Sequence, residues 1–303
     1  MSALNGVLLL DKPHGFSTSF CSRKLGFEAG KIKTGHAGTL DPFATGLILV
    51  LFGKATKLSN YLMALRKTYS GTIKLGVKTA TGDLLGKVIE EKSVAVGEDR
   101  LFEIARTIIG KRKQSPPMFS AVKVSGKPLY RYALSGEEVN VPAKEIEVFD
   151  FRITGINLPE VSFFADVKKG TYLRAIAEEF GETAGCGAHL ISLRRHSIGS
   201  FNIENAVAFD EARDLIKTGK LDEKLINPAS AINFPKMEIS KNEALKIASG
   251  RTIEIPDGKF EDLFSLVYNG RLIAVCRILN GSEKKYRYEC VLEGPEEIEN
   301  GIS

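Results

Sequence analysis

The sequence predicts an α+β fold in two parts, and three observations carry that expectation. Short apolar runs separated by glycine-rich turns read as strands. Helical spacing appears among them without the strand–helix alternation of a parallel α/β protein. The texture of the chain changes near Asn233-Phe234-Pro235, which places a boundary between residues 1–235 and 236–303. A length of 303 residues suits two domains, and 43% hydrophobic residues suffice for a sizeable core.

In chain order, Val7–Leu10, Ile48–Phe52 and Tyr69–Leu75 read as strands. Residues 100–109, Arg-Leu-Phe-Glu-Ile-Ala-Arg-Thr-Ile-Ile, place apolar side chains at helical spacing and stop at Gly110. Residues 124–147 are richer in charge and carry Tyr130-Arg131-Tyr132 as an exposed group, so they read as an insertion reaching over a ligand. Residues 161–167 form a strand, followed by a helix over Leu173–Thr183. Past the boundary, Ser240-Lys241-Asn242-Glu243 is a capping box, with Gly250 as the helix stop. Short β runs at Phe264–Val267 and Leu272–Ile278 then suggest a small barrel. The acidic end from Glu293 onward is expected to fray.

Net charge is +5, but it is unevenly spread. Residues 1–80 hold eleven Lys/Arg against Asp11, Glu28 and Asp41, a local excess of +8. Such a region fits a polyanionic partner. The four cysteines, at 21, 186, 276 and 290, have no metal-like spacing and read as free thiols. No apolar stretch approaches the roughly 20 residues of a membrane helix. With no signal-like segment, the expected location is the cytoplasm.

The most informative stretch is Gly35-His36-Ala37-Gly38-Thr39-Leu40-Asp41-Pro42-Phe43-Ala44-Thr45-Gly46. An Asp-Pro pair by itself is an ordinary turn. Here the acid lies in a tight loop that feeds directly into the buried run Leu47–Phe52, where its side chain can be aimed and desolvated. The string resembles the signature of the TruB family of tRNA pseudouridine synthases, whose Gly-His-x-Gly-x-Leu-Asp-Pro loop carries a catalytic aspartate. Further segments match that family in one order. They are Gly6–Pro13, Lys67-Thr68-Tyr69-Ser70-Gly71, Thr79-x-Thr81-x-Asp83-x-x-Gly86, Ser115–Lys123, Lys169–Arg174 and Leu193-Arg194-Arg195. Ser17-Thr18 and Thr34 depart from the usual pattern and leave the aspartate assignment intact. The tail after residue 235 resembles a PUA domain, an RNA-binding module.

The resemblance implies a mixed, largely antiparallel sheet, an inserted RNA-contacting segment and a PUA-like barrel. It also implies isomerisation of uridine to pseudouridine in the T loop of tRNA, at position 55. Asp41 carries over as the nucleophile and Arg174 as its partner, since a guanidinium favours the ionised carboxylate and fixes its direction. Tyr69 carries over as the ring that stacks on the target base and manages a proton. Tyr172 and Leu193 carry over as pocket walls, Lys12 as a support or contact near the site, and His36 as a contact to RNA around the extruded base. Such chemistry needs a nucleophile, a proton manager and a dry pocket, so no cofactor and no metal are expected. The expected partner is the tRNA T stem-loop, bound by a monomer with no protein partner. The rival readings are a guide-RNA-dependent enzyme of ribosomal RNA and an RNA-folding protein with incidental catalysis; intact Asp41, Tyr69 and Arg174 favour retained catalysis.

Other motifs fall away. Gly53-Lys54 lacks the spacing of a phosphate loop, with Ala55 after the lysine. Ser120-Ala121-Val122-Lys123 and Lys33-Thr34-Gly35 stand in the wrong order for an acyl-enzyme set. His14, His36, His189 and His196 form no zinc-like pattern.

Overall fold

The computed structural model describes residues 4–120, 122–137, 139, 141–256, 258–279 and 286–300. A ten-stranded sheet forms the centre. Its main path runs Val207–Ala208, Gly6–Lys12, Thr45–Phe52, Ala188–Ile198, Lys67–Leu75, Glu160–Val167, Lys144–Asn157 and Gly110–Gln114. Thr34–His36 pairs with Thr45–Phe52, and Phe201–Asn202 pairs with Ala188–Ile198. Neighbours on the main path are antiparallel except at two places: Gly6–Lys12 beside Val207–Ala208, and Thr45–Phe52 beside Ala188–Ile198. The mixed, largely antiparallel sheet expected from the resemblance is therefore present.

Side-chain alternation explains the layers. Strand Thr45–Phe52 is apolar from Leu47 onward and buried there on both faces. Ile48, Val50 and Phe52 join a core with helices Thr18–Glu28, Glu98–Ile108 and Leu173–Thr183 through Leu25, Ile104 and Phe180. Leu47, Leu49 and Leu51 face the other way. Lys67–Leu75 alternates instead: Lys67, Tyr69, Gly71, Ile73 and Leu75 are buried, and the residues between are half-exposed. The parallel junction needs Gly46, at φ 103°, because a Cβ there would collide with the backbone of Arg195. That close approach brings the Asp41-loop end of one strand against the Arg194-Arg195 end of the next, in register Thr45 to Arg194 and Gly46 to Arg195.

The C-terminal part holds a four-stranded sheet ordered Lys236–Glu238, Leu263–Tyr268, Arg271–Ile278 and Tyr286–Val291. Where a small barrel was expected, this sheet is open among the described residues. The capping box at Ser240 and Glu243 forms and starts the helix Lys241–Ala248. Val267, Leu272, Val275 and Leu292 of this part share one apolar cluster with Val7, Leu9, Leu47, Leu49 and Ile198 of the large sheet.

Two local expectations change. Residues 293–300 do not fray: Glu293 is buried, with its carboxylate 2.9 Å from Lys54 and 2.9 Å from Arg271, and Pro295–Glu299 is a helical turn. Paired charge at a buried site holds what composition alone would release; residues 301–303 lie outside the described set. In the insertion, Tyr130 and Arg131 are exposed as expected, on the short helix Leu129–Leu134, but Tyr132 is half-buried. Its hydroxyl donates to the Val124 carbonyl at 3.1 Å, and the Lys127 ammonium stands 4.2 Å over its ring. The long strand Lys144–Asn157 begins within the range 124–147.

Candidate active site

Asp41 lies in the loop between Thr34–His36 and Thr45–Phe52, and both sides of that loop are pinned. Before it, the Thr18 hydroxyl accepts from the Leu40 amide at 2.9 Å and lies 3.1 Å from the Leu40 carbonyl. After it, the Pro42 carbonyl accepts from the Gly15 amide at 2.8 Å and from the Lys12 ammonium at 3.3 Å. Lys12 is fully buried and also donates to the carbonyls of Pro13 and Phe16, at 2.8 and 2.7 Å. Burial lowers its pKa to about 8, with Arg195 adding to the effect. It braces the loop as a buried cation held mainly by backbone oxygens. Underneath, Arg195 is 1% exposed and donates to Leu47 O at 2.6 Å and Gly38 O at 3.2 Å.

Arg174 stands in the first turn of helix Leu173–Thr183 and is 4% exposed. Its Nη1 donates to Thr81 O at 2.8 Å and its Nη2 to Phe119 O at 2.8 Å. Those two carbonyls, from distant segments, fix the guanidinium plane. Asp41 then meets it at 3.3 Å from Nη2 to Oδ1 and 3.0 Å from Nε to Oδ2. The Nε contact is an ion pair without hydrogen-bond alignment. Asp83 approaches the same guanidinium from the other side, its Oδ2 3.6 Å from Nη1.

Asp83 is itself locked. Its Oδ1 accepts from Thr81 Oγ1 at 2.6 Å and from the Leu85 amide at 3.1 Å, while Thr79 Oγ1 donates to its carbonyl at 2.8 Å. Gly82, at φ 69°, sits where a Cβ would collide with the Glu178 carboxylate of the Arg174 helix. The hydroxyls and acid of Thr79-x-Thr81-x-Asp83 thus form a polar turn pressed against the arginine.

Asp41 retains a third of its side-chain surface to solvent. Burial nonetheless raises its pKa above the ordinary carboxylate value; Arg174 opposes that shift and Asp83 adds to it. One guanidinium shared by two carboxylates leaves neither fully neutralised. The arrangement can present an ionised, weakly solvated carboxylate oxygen to a bound substrate.

The other candidate residues fall on the neighbouring elements. Tyr69 is 7% exposed and pairs across the sheet with Ala165 and Arg195, with the Arg195 guanidinium carbon 6.0 Å from its ring centre. Leu193 lies opposite Gly71 on the next strand. Tyr172 precedes Arg174 at the helix start, and Gln114 clamps its backbone by accepting from the Tyr172 amide at 2.8 Å and donating to the Tyr172 carbonyl at 3.1 Å. Burial raises the pKa of the Tyr172 phenol. His36 lies beside the loop, with Nε2 3.1 Å from the Ser19 hydroxyl and Nδ1 buried without a partner. Burial, and after it Arg195, lowers its pKa, which favours the neutral ring. Direct contact thus joins Asp41 to Arg174, and Lys12 acts through the loop.

Sequence reasoning missed four residues that build this site: Asp83, Arg195, Gln114 and Thr18. The first two lay inside recognised motifs, without a role. Gln114 carried no signal. Thr18 stood at a departure from the family pattern, yet its hydroxyl is what fastens Leu40. Among the described residues, no group of His, Cys, Asp and Glu is placed to hold a metal ion. Cys21, Cys186, Cys276 and Cys290 are free thiols, and no helix among the described residues is long and apolar enough to cross a membrane.

The chain is similar to known proteins over most of its length. Residues 23–173 match the N-terminal domain of TruB family pseudouridylate synthases, and residues 174–232 match the tRNA pseudouridylate synthase B C-terminal domain. The tRNA pseudouridine synthase B of Geotalea uraniireducens is 38% identical over 284 residues, covering 90% of this chain and 92% of that protein. The one from Colwellia psychrerythraea is 40% identical over 230 residues, covering 76% and 72%. In fold, the chain resembles one solved in a Cbf5–Nop10–Gar1 complex, with a TM-score of 0.74, 23% identity and coverage of 97% and 87%. The family match and these relatives define a pseudouridylate synthase. Within that class, the chain belongs to the TruB family.

Proposed function

We propose that this protein isomerises uridine to pseudouridine in tRNA, at position 55 of the T loop, with Asp41 as nucleophile. The observation that carries the reading is the Asp41–Arg174 pair, held on a loop that Lys12, Thr18 and Arg195 pin from three sides. The relatives named above at 38–40% identity are tRNA pseudouridine synthases, which favours tRNA as the substrate.

The target base leaves its stack to reach Asp41, the usual route for enzymes that act on bases. The Asp41 carboxylate adds to the nucleotide, at C6 of the ring or C1′ of the sugar. The C1′–N1 bond breaks, uracil turns, and a C1′–C5 bond forms. The bond to Asp41 breaks as the new linkage is made, which returns the free carboxylate; loss of the C5 proton, with return of a proton to N1, completes the isomerisation, and atoms balance without a redox partner. Arg174 keeps Asp41 ionised and directed through the addition. Tyr69 stacks on the base and accepts the C5 proton; Tyr172 and Leu193 wall the pocket, and His36 contacts the RNA at its rim. Residues 236–303 add RNA affinity as a separate unit, the insertion around 124–147 closes over the stem-loop, and the protein works as a cytoplasmic monomer without a protein partner.

The test is incubation of the pure protein with unmodified T-stem-loop RNA, followed by mapping of pseudouridine. Stoichiometric conversion at the position equivalent to 55 is the expected result. Absence of pseudouridine with folded protein and intact RNA would overturn the reading. Conversion only on addition of a guide RNA would assign the chain to the guided class instead.

A further inference from the structure

We propose that the outer face of helix Thr18–Glu28, together with Phe16, is a stacking platform for unpaired bases of the RNA outside the uridine pocket. The proposal rests on the RNA-modifying function above. Phe20, Arg23 and Phe27 are spaced by three and four residues, which places them on one side of the helix, and Phe16, just before its cap Ser17, stacks on Phe20. Thr18, Cys21, Ser22 and Leu25 take the opposite side and are buried. The outer face is therefore aromatic and basic where an ordinary surface helix is polar. Phe16, Phe20 and Phe27 remain 40%, 39% and 64% exposed.

The rings are ordered. Phe16 and Phe20 stack with centroids 4.9 Å apart and planes at 15°, and Phe209 braces them at 5.8 and 6.4 Å. Packing of the residue before a helix against its first turn accounts for the contact between Phe16 and Phe20. It does not account for Arg23 and Phe27 further along. Arg23 is exposed, donates to the Ser19 carbonyl at 3.1 Å, and has no ion pair among the described residues.

Charge and position favour RNA as the occupant. Between Lys12 and Leu40 the sole acid is Glu28, set against Lys12, Arg23, Lys24, Lys31 and Lys33. Glu28 is already paired with Lys24 and Arg213, and on the packed helix Phe209–Lys217 Asp210 pairs with Arg213 and Asp214 with Lys217; with Glu211 also counted and buried Lys12 set aside, positive charge remains in excess around the apolar stripe. The stripe starts at the catalytic loop. Thr18 in the first helical turn fastens Leu40, and Ser19 contacts His36. From there the face runs about 16 Å along the helix axis. Exposed aromatics beside free cations stack on bases with little regard for base identity.

Phe20→Ala, Phe27→Ala and Phe20→Leu test the platform, with Phe102→Ala, an exposed Phe on another helix, as control. Phe16 is left intact because its carbonyl holds Lys12. Binding of unmodified tRNA should weaken by about tenfold in Phe20→Ala and in Phe27→Ala. Single-turnover chemistry on saturated RNA should match the parent, and Phe102→Ala should bind normally. Phe20→Leu, which keeps an apolar plug, should bind as poorly as the alanine variant. Arg23→Gln should lower the slope of log affinity against log salt by about one. Unchanged affinity in the folded alanine variants overturns the proposal, as does parent-like binding by Phe20→Leu. Self-association of the parent that these substitutions abolish, with RNA affinity intact, would make the face a protein contact and also overturn it. Failure of the parent to make pseudouridine would refute the proposed activity while leaving the binding comparison readable.

Discussion

Replacing Arg174 by lysine keeps the charge and removes the geometry, so it isolates what the guanidinium does. The arginine engages two carbonyls, Thr81 and Phe119, at 2.8 Å each, and reaches both oxygens of Asp41 and one of Asp83. A lysine ammonium offers three hydrogens from one point and cannot span four groups in a plane. At least one charge-assisted contact is lost, and such contacts contribute about 1.5–3 kcal/mol each. Even the lower figure corresponds to a loss of about tenfold in rate. Single-turnover release of the C5 hydrogen as tritium should therefore slow by at least about tenfold, with RNA affinity nearly unchanged. The pH profile adds a second readout. Asp41 acts as the ionised form, burial raises its pKa, and Arg174 opposes that rise. Removing the guanidinium in Arg174→Gln pushes the Asp41 pKa higher, so the acid limb moves to higher pH; Arg174→Lys, still cationic, should move it less. A lysine variant of near-parental rate, or a glutamine variant with an unmoved acid limb, would refute the role of Arg174 as partner of Asp41.

Four further outcomes are expected. Asp41→Asn should abolish turnover, because an amide is no nucleophile here, and should keep tRNA affinity within roughly tenfold; the check is multiple turnover after excluding deamidation. Tyr69→Phe should bind RNA well yet slow product formation by about 10²–10⁴-fold if the hydroxyl carries the proton, whereas Tyr69→Leu should lose affinity too; single-turnover assays on one T-loop RNA separate the two. Lys67 has a pKa of about 8 in the folded protein, lowered first by burial, against 10.5 ordinarily. The unfolded chain thus binds more protons between those values, so Lys67 adds stability as pH rises from about 8 to 10.5. Urea unfolding at both ends of that window should show a smaller rise, or a larger fall, for Lys67→Met than for the parent. Removal of residues 236–303 should weaken tRNA binding and also lower the melting temperature, because it uncovers Val7, Leu9, Leu47 and Leu49; calorimetry and binding at low temperature distinguish the two effects.

The legible elements shared a physical property: their burial pattern is written along the chain. Thr45–Phe52 and Lys67–Leu75 announce themselves by apolar continuity and by alternation. Leu173–Thr183 could be read from its amphipathic spacing and appears with the expected bounds. Helix Thr18–Glu28 went unread because Phe16, Phe20 and Phe27 give it apolar residues on its wet face as well, which erases the period. Ala188–Ile198 went unread because bulges near Ile191 and His196 break its alternation. In the site, the Asp41 and Arg174 side chains could be named from their motifs. The carbonyls of Thr81, Phe119, Gly38 and Pro42 could not, since backbone acceptors carry no sequence signature.

Those carbonyls explain how a site with so many buried cations holds together. Lys12, Lys67, Arg174 and Arg195 are each at most 7% exposed. Like charges at that density repel, and each has given up its water. Lys12 and Lys67 respond with pKa values lowered to about 8. Backbone oxygens supply the compensation: Lys67 donates to Met63 O and Leu65 O, Lys12 to three carbonyls, Arg195 to two and Arg174 to two. A carbonyl solvates a cation without neutralising it, so the field around Asp41 stays positive. That field opposes the effect of burial on the carboxylate and draws in a polyanionic substrate. Acidic partners in place of the carbonyls would have produced a more stable site with no attraction for RNA and a carboxylate less readily ionised.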